Sequence, residues 1–556
     1  MRGIQNEGDK GMKRLITASL SATALVGALV GAGVGAAIML TPASAECLDP
    51  ALCRPQQTRL DDDGYLRALS LDLRGVVPSP EEHARAQTEG VDALVDEWLR
   101  TEAFQARVVR RHRELLWPNI SNVTRLYHFR RNLGNSTVDG TGSPRVWHQS
   151  TSATREAYRG DNTLGCRDEP ATFAADGSIE TDARGREGYV MVAPYWDPST
   201  EIKVCAFDAQ EEPVSPSGSD CSGRAAIGDP GCGCGPNLRW CGTTAVRNDV
   251  LDAFAEELER RVAAHVAADE PYHELLTSRR AFVNGPLTYY WRHHKDIYNN
   301  VQLVPAALDV DGLPETDIEG GAVAFADETS WTEVELPEDH SGLLTHPVFL
   351  LRFQTNRARA NRFYDAFLCE PFQPPEGGIP LDDEVAQSQP DVQLRPGCNY
   401  CHAILEPAAA HWGRWTQQGG GFLEPGLYPE FREECRDCGV GLEPCSDLCR
   451  FNYVTRALSP EEEPYLGRLR AFEFLREEHR PNVEAGPAAL VRRGLADGRF
   501  TACSVRRTAE WLLARPLREE EEDWAREITA EFLDGDFRYR ELVRAIVTSD
   551  TYRRAL

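Results

Sequence analysis

Ser79-Pro-Glu-Glu-His-Ala-Arg-Ala-Gln-Thr-Glu-Gly-Val-Asp-Ala-Leu-Val-Asp-Glu-Trp-Leu99 is the stretch from which the fold is read. Its first four residues have the form of a capping box. The Ser79 hydroxyl can accept an otherwise orphaned amide, Glu82 can reach back to the cap, and Pro80 stands where its missing N–H costs nothing. Val91, Leu94, Val95, Trp98 and Leu99 then recur at three- and four-residue steps, which lays one apolar stripe along a helix. Residues 60–118 read as helical throughout, so a helical domain is expected over 46–118.

The same periodicity returns further along. Leu251, Phe254, Leu258, Val262 and Val266 predict a helix that begins at Asn248 and continues through a Tyr- and Trp-rich stretch to about Tyr298. Another is predicted over about Gly342 to Leu368. Ser459-Pro460-Glu461 is read as the cap of a closing set of helices, in which Leu542, Val543, Ile546 and Val547 share one face. The fold class is therefore mainly α, with helical domains at 46–118, 246–370 and 451–556.

Between these domains the pattern breaks. Residues 119–245 are rich in Gly, Ser, Asp and Pro, hold six cysteines and offer only short strand-like runs such as Tyr189 to Ala193. They read as an irregular, disulfide-rich insert. Residues 302–340 are acidic and broken by Gly and Pro, a long loop. Asp309, Asp311 and Glu315 there are carboxylates of the kind that bind calcium, but the loop lacks the full ligand spacing. Residues 371–450 are again Pro- and Gly-rich.

That last segment contains Cys398-Asn-Tyr-Cys401-His402. Two thiols three positions apart, followed at once by an imidazole, supply the attachment chemistry of a c-type haem. Each thiol can form a thioether to one vinyl group, and the imidazole coordinates the iron as proximal ligand. With 16 Cys and 13 His in 556 residues, the pattern arises by chance only about 0.01 times. Haem c is the expected cofactor, held by Cys398, Cys401 and His402. The bland alternative is a small disulfide loop followed by a surface histidine.

Haem c is assembled outside the cytoplasm, and the N-terminus is suited to export. Lys13 and Arg14 precede an apolar run from Leu15 to Leu40, closed by Ala43-Ser44-Ala45, so residues 1–45 read as a signal peptide. The alternative is an uncleaved membrane anchor: the run is long enough to span a bilayer, and Gly27, Gly31 and Gly35 can pack a helix pair. The remaining cysteines agree with an oxidising, periplasmic or cell-surface location. Cys369 and Cys503, each alone in its region, are candidates to pair. Cys435, Cys438, Cys445 and Cys449 either form disulfides or hold zinc as four thiolates.

Charge narrows the partners. Export removes four basic and two acidic residues and takes the net charge from −27 to −29. Such a surface repels nucleic acid and anionic membrane, and it suits either a basic redox partner protein or simple solubility. Membrane association is expected only if the N-terminal segment stays attached.

The other side of the iron separates carrier from enzyme. An electron carrier usually has two strong axial ligands, often His and Met. Met1, Met12 and Met39 lie in the export segment, leaving Met191. His411 is near His402 in sequence, yet nine residues along a helix turn it to the opposite face unless Pro407 bends the chain. His293, His294, His340 and His346 are the other imidazoles, each equally an ordinary packed or surface histidine. No sixth ligand is assigned. Three functions stay open: a monohaem c electron carrier, a haem enzyme with an open distal iron position for peroxide or small-gas chemistry, and a binding or assembly protein with a structural haem. A second C-x-x-C-H, a G-x-S-x-G elbow, an H-E-x-x-H helix and a Walker loop are all missing from the sequence.

Arg67-Ala-Leu-Ser-Leu-Asp-Leu-Arg-Gly-Val-Val-Pro-Ser-Pro-Glu-Glu82 resembles the opening of the planctomycete-type cytochrome c-associated proteins, an exported family built from domains of unknown function. Gly342-Leu-Leu-Thr-His-Pro347 with Leu368-Cys369 is similar to the segment before their haem motif. Phe500-Thr-Ala-Cys503 and Leu542-Val-Arg-Ala-Ile-Val-Thr-Ser-Asp550 are similar to their C-terminal domain. The resemblance implies export, a mostly helical fold and a single covalent haem. Two departures stand out: Ile404-Leu-Glu-Pro407 follows the haem motif where the family has a Gly-rich stretch with Ile-Asp-Pro, and the 119–245 insert has no counterpart.

Overall fold

The computed structural model describes residues 59–116, 132–137, 145–149, 165–223, 229–294, 310–373, 388–417 and 421–554. The expected signal peptide and the carboxylate of Asp309 lie outside them. The first helices are α1 (Asp62–Arg74), α2 (Pro80–Glu89), α3 (Val91–Trp98) and α4 (Glu102–Leu115). The capping box forms as the sequence predicts: Glu82 N donates to Ser79 Oγ at 3.2 Å, and Ser79 N donates to Glu82 Oε2 at 2.8 Å. Glu82 also accepts both Arg74 guanidinium bonds and Trp98 Nε1, so one carboxylate joins α1, α2 and α3. Leu94, Val95, Trp98 and Leu99 are buried against the Leu66, Leu69 and Leu73 stripe of α1.

The insert carries more regular structure than its composition suggests. β1 (Leu133–Thr137), β2 (Arg145–Gln149), β3 (Tyr189–Val192) and β4 (Ile202–Cys205) form one sheet in the order β1-β2-β4-β3, with the central pair parallel. Disulfides Cys166–Cys205, Cys221–Cys232 and Cys234–Cys241 staple its loops. With so little apolar surface to bury, cross-links supply the order that a core otherwise would.

α5 (Thr244–Ala268) confirms the long helix but not its expected length. Asp269 adopts a left-handed conformation and Pro271 follows, so the helix stops there rather than near Tyr298. The chain instead forms β5 (Arg280–Val283), the short α6 (Gly285–Tyr289) and a π turn over Tyr290–His294. β5 pairs antiparallel with β6 (Thr332–Glu335), so the acidic segment read as loop contains a strand. Asp311 and Glu315 are exposed there and belong to no metal-binding cluster among the described residues.

The helix expected over Gly342–Leu368 is three pieces: a 3-10 turn (Gly342–Thr345), α7 (Pro347–Arg352) and α8 (Asn356–Leu368). Pro347 has no N–H to continue the first, and the Thr355 hydroxyl caps a new start at α8 by accepting from Ala358 N. α9 (Asn399–Ala409), α10 (Glu433–Gly439) and α11 (Asp447–Asn452) follow. Cys435–Cys449 and Cys438–Cys445 are disulfides, which consumes all four thiols of the alternative zinc site.

Ser459-Pro460-Glu461 does not cap a helix. Pro464 and the left-handed Gly467 follow within two turns, and the chain makes only a 3-10 turn at Glu463–Tyr465. The closing helices are α12 (Pro481–Ala496), α13 (Arg499–Leu512), α14 (Glu522–Asp534), α15 (Tyr539–Val547) and α16 (Asp550–Arg554). One continuous core runs from Tyr65 to Tyr552. Tyr65 Oη donates to Val547 O at 2.8 Å, and Tyr552 Oη donates to Asp72 at 2.6 Å, clasping the closing helices to α1. The fold is mainly α with a disulfide-rich insert. Among the described residues no helix is long and apolar enough to cross a membrane.

Candidate functional site

The site is built on the first turn of α9. Ahead of it, Asp391 Oδ1 accepts Gln393 N at 2.9 Å, and Gly397 takes a positive φ of 79° that turns the chain into the helix. Cys398 stands at the N-cap, with Cys401 and His402 in the turn that follows. Of the fourteen described cysteines, twelve form six disulfides, and the two left as free thiols are Cys398 and Cys401. Both are half-buried.

The imidazole of His402 is held from one side. Its Nδ1 lies 2.5 Å from Glu406 Oε1, one helical turn on, and the same oxygen accepts Arg357 Nε from α8 at 2.6 Å. A carboxylate paired with a guanidinium is an acceptor, so Nδ1 carries the proton and donates it to Glu406. The lone pair is then on Nε2, which has no hydrogen-bond partner among the described residues. This is the tautomer that coordination through Nε2 requires.

Leu394, Tyr400 and Ile404, close to the two thiols in sequence, are 52%, 62% and 53% exposed and leave apolar surface uncovered. A cleft of about 300 Å³ lies beside α9, lined by Arg357, Glu406, Ala409, Gln393, Arg470 and Phe474, with Cys398, Cys401 and His402 outside its lining. Two thiols and one available imidazole nitrogen are the group types that covalent attachment and proximal ligation of a haem c require.

The candidate distal ligands are elsewhere. His411 lies in a 3-10 turn after α9 and is fully buried. Its Nδ1 donates to Gly486 O at 2.8 Å, and its Nε2 faces Arg493 Nη1 at 3.5 Å, so both nitrogens are engaged with α12. Burial lowers its pKa to about 4. Met191 is half-exposed on β3, opposite Lys203 of β4 in the insert's sheet. His340 packs edge-on against Trp415 at 5.1 Å. His293 Nε2 lies 3.2 Å from Thr316 Oγ1, and His294 Nε2 lies 3.3 Å from Tyr195 Oη.

His346 belongs to a buried polar cluster outside the sequence reading. Its Nε2 is 2.5 Å from Glu257 Oε2, while Arg261 Nε donates to Glu257 Oε1 at 2.5 Å. Burial alone would raise the Glu257 pKa, but Arg261 and His346 outweigh it and bring it down to about 2. The i, i+4 spacing of Glu257 and Arg261 was visible in the sequence; His346, far along the chain, was not connected to them. Glu406 and Arg357 were missed likewise, although Glu406 lies at the i+4 position from His402.

A family profile described as "Protein of unknown function (DUF1585)" matches residues 485–552, from within α12 into α16. The two C-terminal stretches quoted above, Phe500–Cys503 and Leu542–Asp550, fall inside that match. No curated protein and no solved structure matches the chain.

Proposed function

We propose that this chain is an exported monohaem c-type cytochrome-like protein that transfers single electrons in the periplasm. Cys398 and Cys401 would hold haem c through two thioethers, with His402 as its proximal axial ligand. The observation that carries the reading is the selectivity of cysteine pairing: every described cysteine is in a disulfide except the two that precede His402. Six disulfides point to an oxidising compartment, where two thiols three positions apart would otherwise pair as well.

Bound there, the haem supplies a one-electron iron couple whose potential follows axial ligation and burial. The protein's part is to fix the ring orientation of His402 through Glu406, and to leave Leu394, Tyr400 and Ile404 as uncovered apolar surface. The net charge of −27 suits a basic redox partner protein and disfavours nucleic acid. Membership of the planctomycete-type cytochrome c-associated family belongs to the same proposal; it rests on the N-terminal and pre-haem stretches and on the two C-terminal ones, which fall within the 485–552 match to a domain of unknown function. Residues 1–45 would be the export signal.

A second reading, a haem enzyme with an open distal position, is favoured by the engagement of both His411 nitrogens with α12. One experiment addresses both. The full chain is matured in a host competent for haem c attachment, weighed by mass spectrometry, and its reduced-minus-oxidised spectrum is recorded with and without carbon monoxide. One added haem and a low-spin spectrum indifferent to carbon monoxide support the carrier. A carbon monoxide shift supports the enzyme, and a chain without added haem mass ends both.

A further inference from the structure

We infer that Glu406 is the residue that sets the donor strength of His402, with Arg357 as its counterweight, so that this pair of side chains tunes the haem potential. The inference rests on the haem reading above. It starts from a geometry that an ordinary helical ion pair lacks. Glu406 Oε1 is shared: it accepts His402 Nδ1 at 2.5 Å from its own helix and Arg357 Nε at 2.6 Å from α8. The carboxylate is only 16% exposed, and the histidine 24%. An exposed i, i+4 ion pair contributes little to stability. Here the partner is the nitrogen opposite the one that would bind iron.

The consequence follows from charge distribution in the ring. A full hydrogen bond from Nδ1 to an anionic oxygen gives the imidazole part of the character of its anion and makes Nε2 a stronger donor. A stronger donor favours the more highly charged ferric state, so the potential falls. Arg357 draws density from the same oxygen and weakens that effect. The two side chains therefore act with opposite signs on one ligand atom, and the length of the Glu406 side chain in Ile404-Leu-Glu-Pro407 is what lets its oxygen lie between them. Glu406 and Arg357 are positioning residues; neither is a ligand.

Potentiometry of the full-length holoprotein tests this. Glu406→Gln keeps the shape and an acceptor oxygen but removes the charge, and its midpoint potential should move positive of wild type. Arg357→Gln should move it negative. Glu473→Gln, which removes a carboxylate from the same cleft without touching His402, serves as the control for simple field effects and should move the potential less than Glu406→Gln. The ferrous protein adds a second readout: where the iron is five-coordinate, the iron–histidine stretching frequency should drop in Glu406→Gln and be unchanged in Glu473→Gln.

An unmoved potential in Glu406→Gln, a shift no larger than that of Glu473→Gln, or a positive shift in Arg357→Gln overturns the role of Glu406. A wild-type chain that acquires no haem mass overturns instead the reading on which the inference rests, so the two failures are told apart before any variant is made.

Discussion

Cys369 and Cys503 form a disulfide that joins the C-cap of α8 to α13 across 134 positions of the chain. α8 also carries Arg357, which reaches the candidate site, and α13 lies within the 485–552 match. The cross-link therefore fastens the helix beside the site to the C-terminal helices. Closing so long a loop removes much conformational freedom from the unfolded chain. Replacing both residues by Ser is expected to lower the unfolding free energy by about 3–5 kcal/mol. Guanidinium unfolding without reductant checks it: the double variant's midpoint should lie well below that of wild type, and the difference should vanish once reductant opens the other five disulfides in both; equal midpoints without reductant would contradict the assignment.

Acid should destabilise the fold well before its carboxylates protonate. His112, His294 and His411 are buried, and burial holds their pKa values at about 4, about 3 and about 4. In the unfolded chain each returns to about 6.5. A group whose folded pKa is the lower one binds more protons when unfolded, so its stabilisation is complete above pH 6.5 and is lost as pH falls toward 4. Glu257, at about 2 in the fold, adds a further loss below its unfolded value near 4.5. Thermal midpoints measured from pH 8 to 4 should be level at the alkaline end and decline steadily below about 6.5; a curve that stays level to pH 4.5 would refute the burial of these imidazoles.

The parts of the fold legible in the sequence are those fixed by neighbours in the chain. Ser79 and Glu82 cap a helix because the needed atoms are three residues apart, and the Val91 to Leu99 stripe buries where its spacing says it should. What escaped depends on partners distant in sequence, or on helix breakers that lie just beyond the motif itself. Arg280–Val283 reads as the tail of a helix until its pairing with Thr332–Glu335 is seen, and Ser459-Pro460-Glu461 reads as a cap until Pro464 and Gly467 are weighed against it. The Cys369–Cys503 pair was accessible because each stood alone, whereas the three pairs of the insert had to be chosen from 15 arrangements. At the site, the two thiols and His402 were explicit in the motif. Glu406 was present at the right spacing, but only the arrival of Arg357 from α8 shows which oxygen the histidine uses.

Gly486 is where α12 is anchored to the segment after α9. Its φ of 65° and ψ of 175° lie in a region essentially reserved for glycine, and the turn presents its carbonyl to His411 Nδ1. Nothing crowds the position a Cβ would occupy, so a substitution there is opposed by backbone conformation alone. Gly486→Ala is expected to cost about 1–3 kcal/mol, read from urea unfolding. Because Asn482 Nδ2 donates to Pro407 O at 3.0 Å and Arg493 donates to Asn482 Oδ1 at 2.8 Å, the contact between α9 and α12 does not depend on His411 alone. The variant should accordingly stay folded at room temperature, and complete unfolding under native conditions would show that the Gly486 bond carries more than this.

Cys398 and Cys401 offer a chemical distinction between haem attachment and a small disulfide loop. Thioethers resist thiol reductants, whereas disulfides do not. When the chain matured in a haem c-competent host is reduced, denatured, alkylated and mapped by peptide, the twelve described cysteines now in disulfides should all carry the alkyl group. The peptide spanning 398–402 should instead carry the mass of one haem and no alkyl group. The same chain from a host lacking the attachment machinery should be alkylated at both positions, since no other described residue engages these thiols covalently. Alkylation of Cys398 and Cys401 in the matured protein would mean that they had been free or disulfide-linked all along, and His402 would then be a helix histidine paired with Glu406 and nothing more.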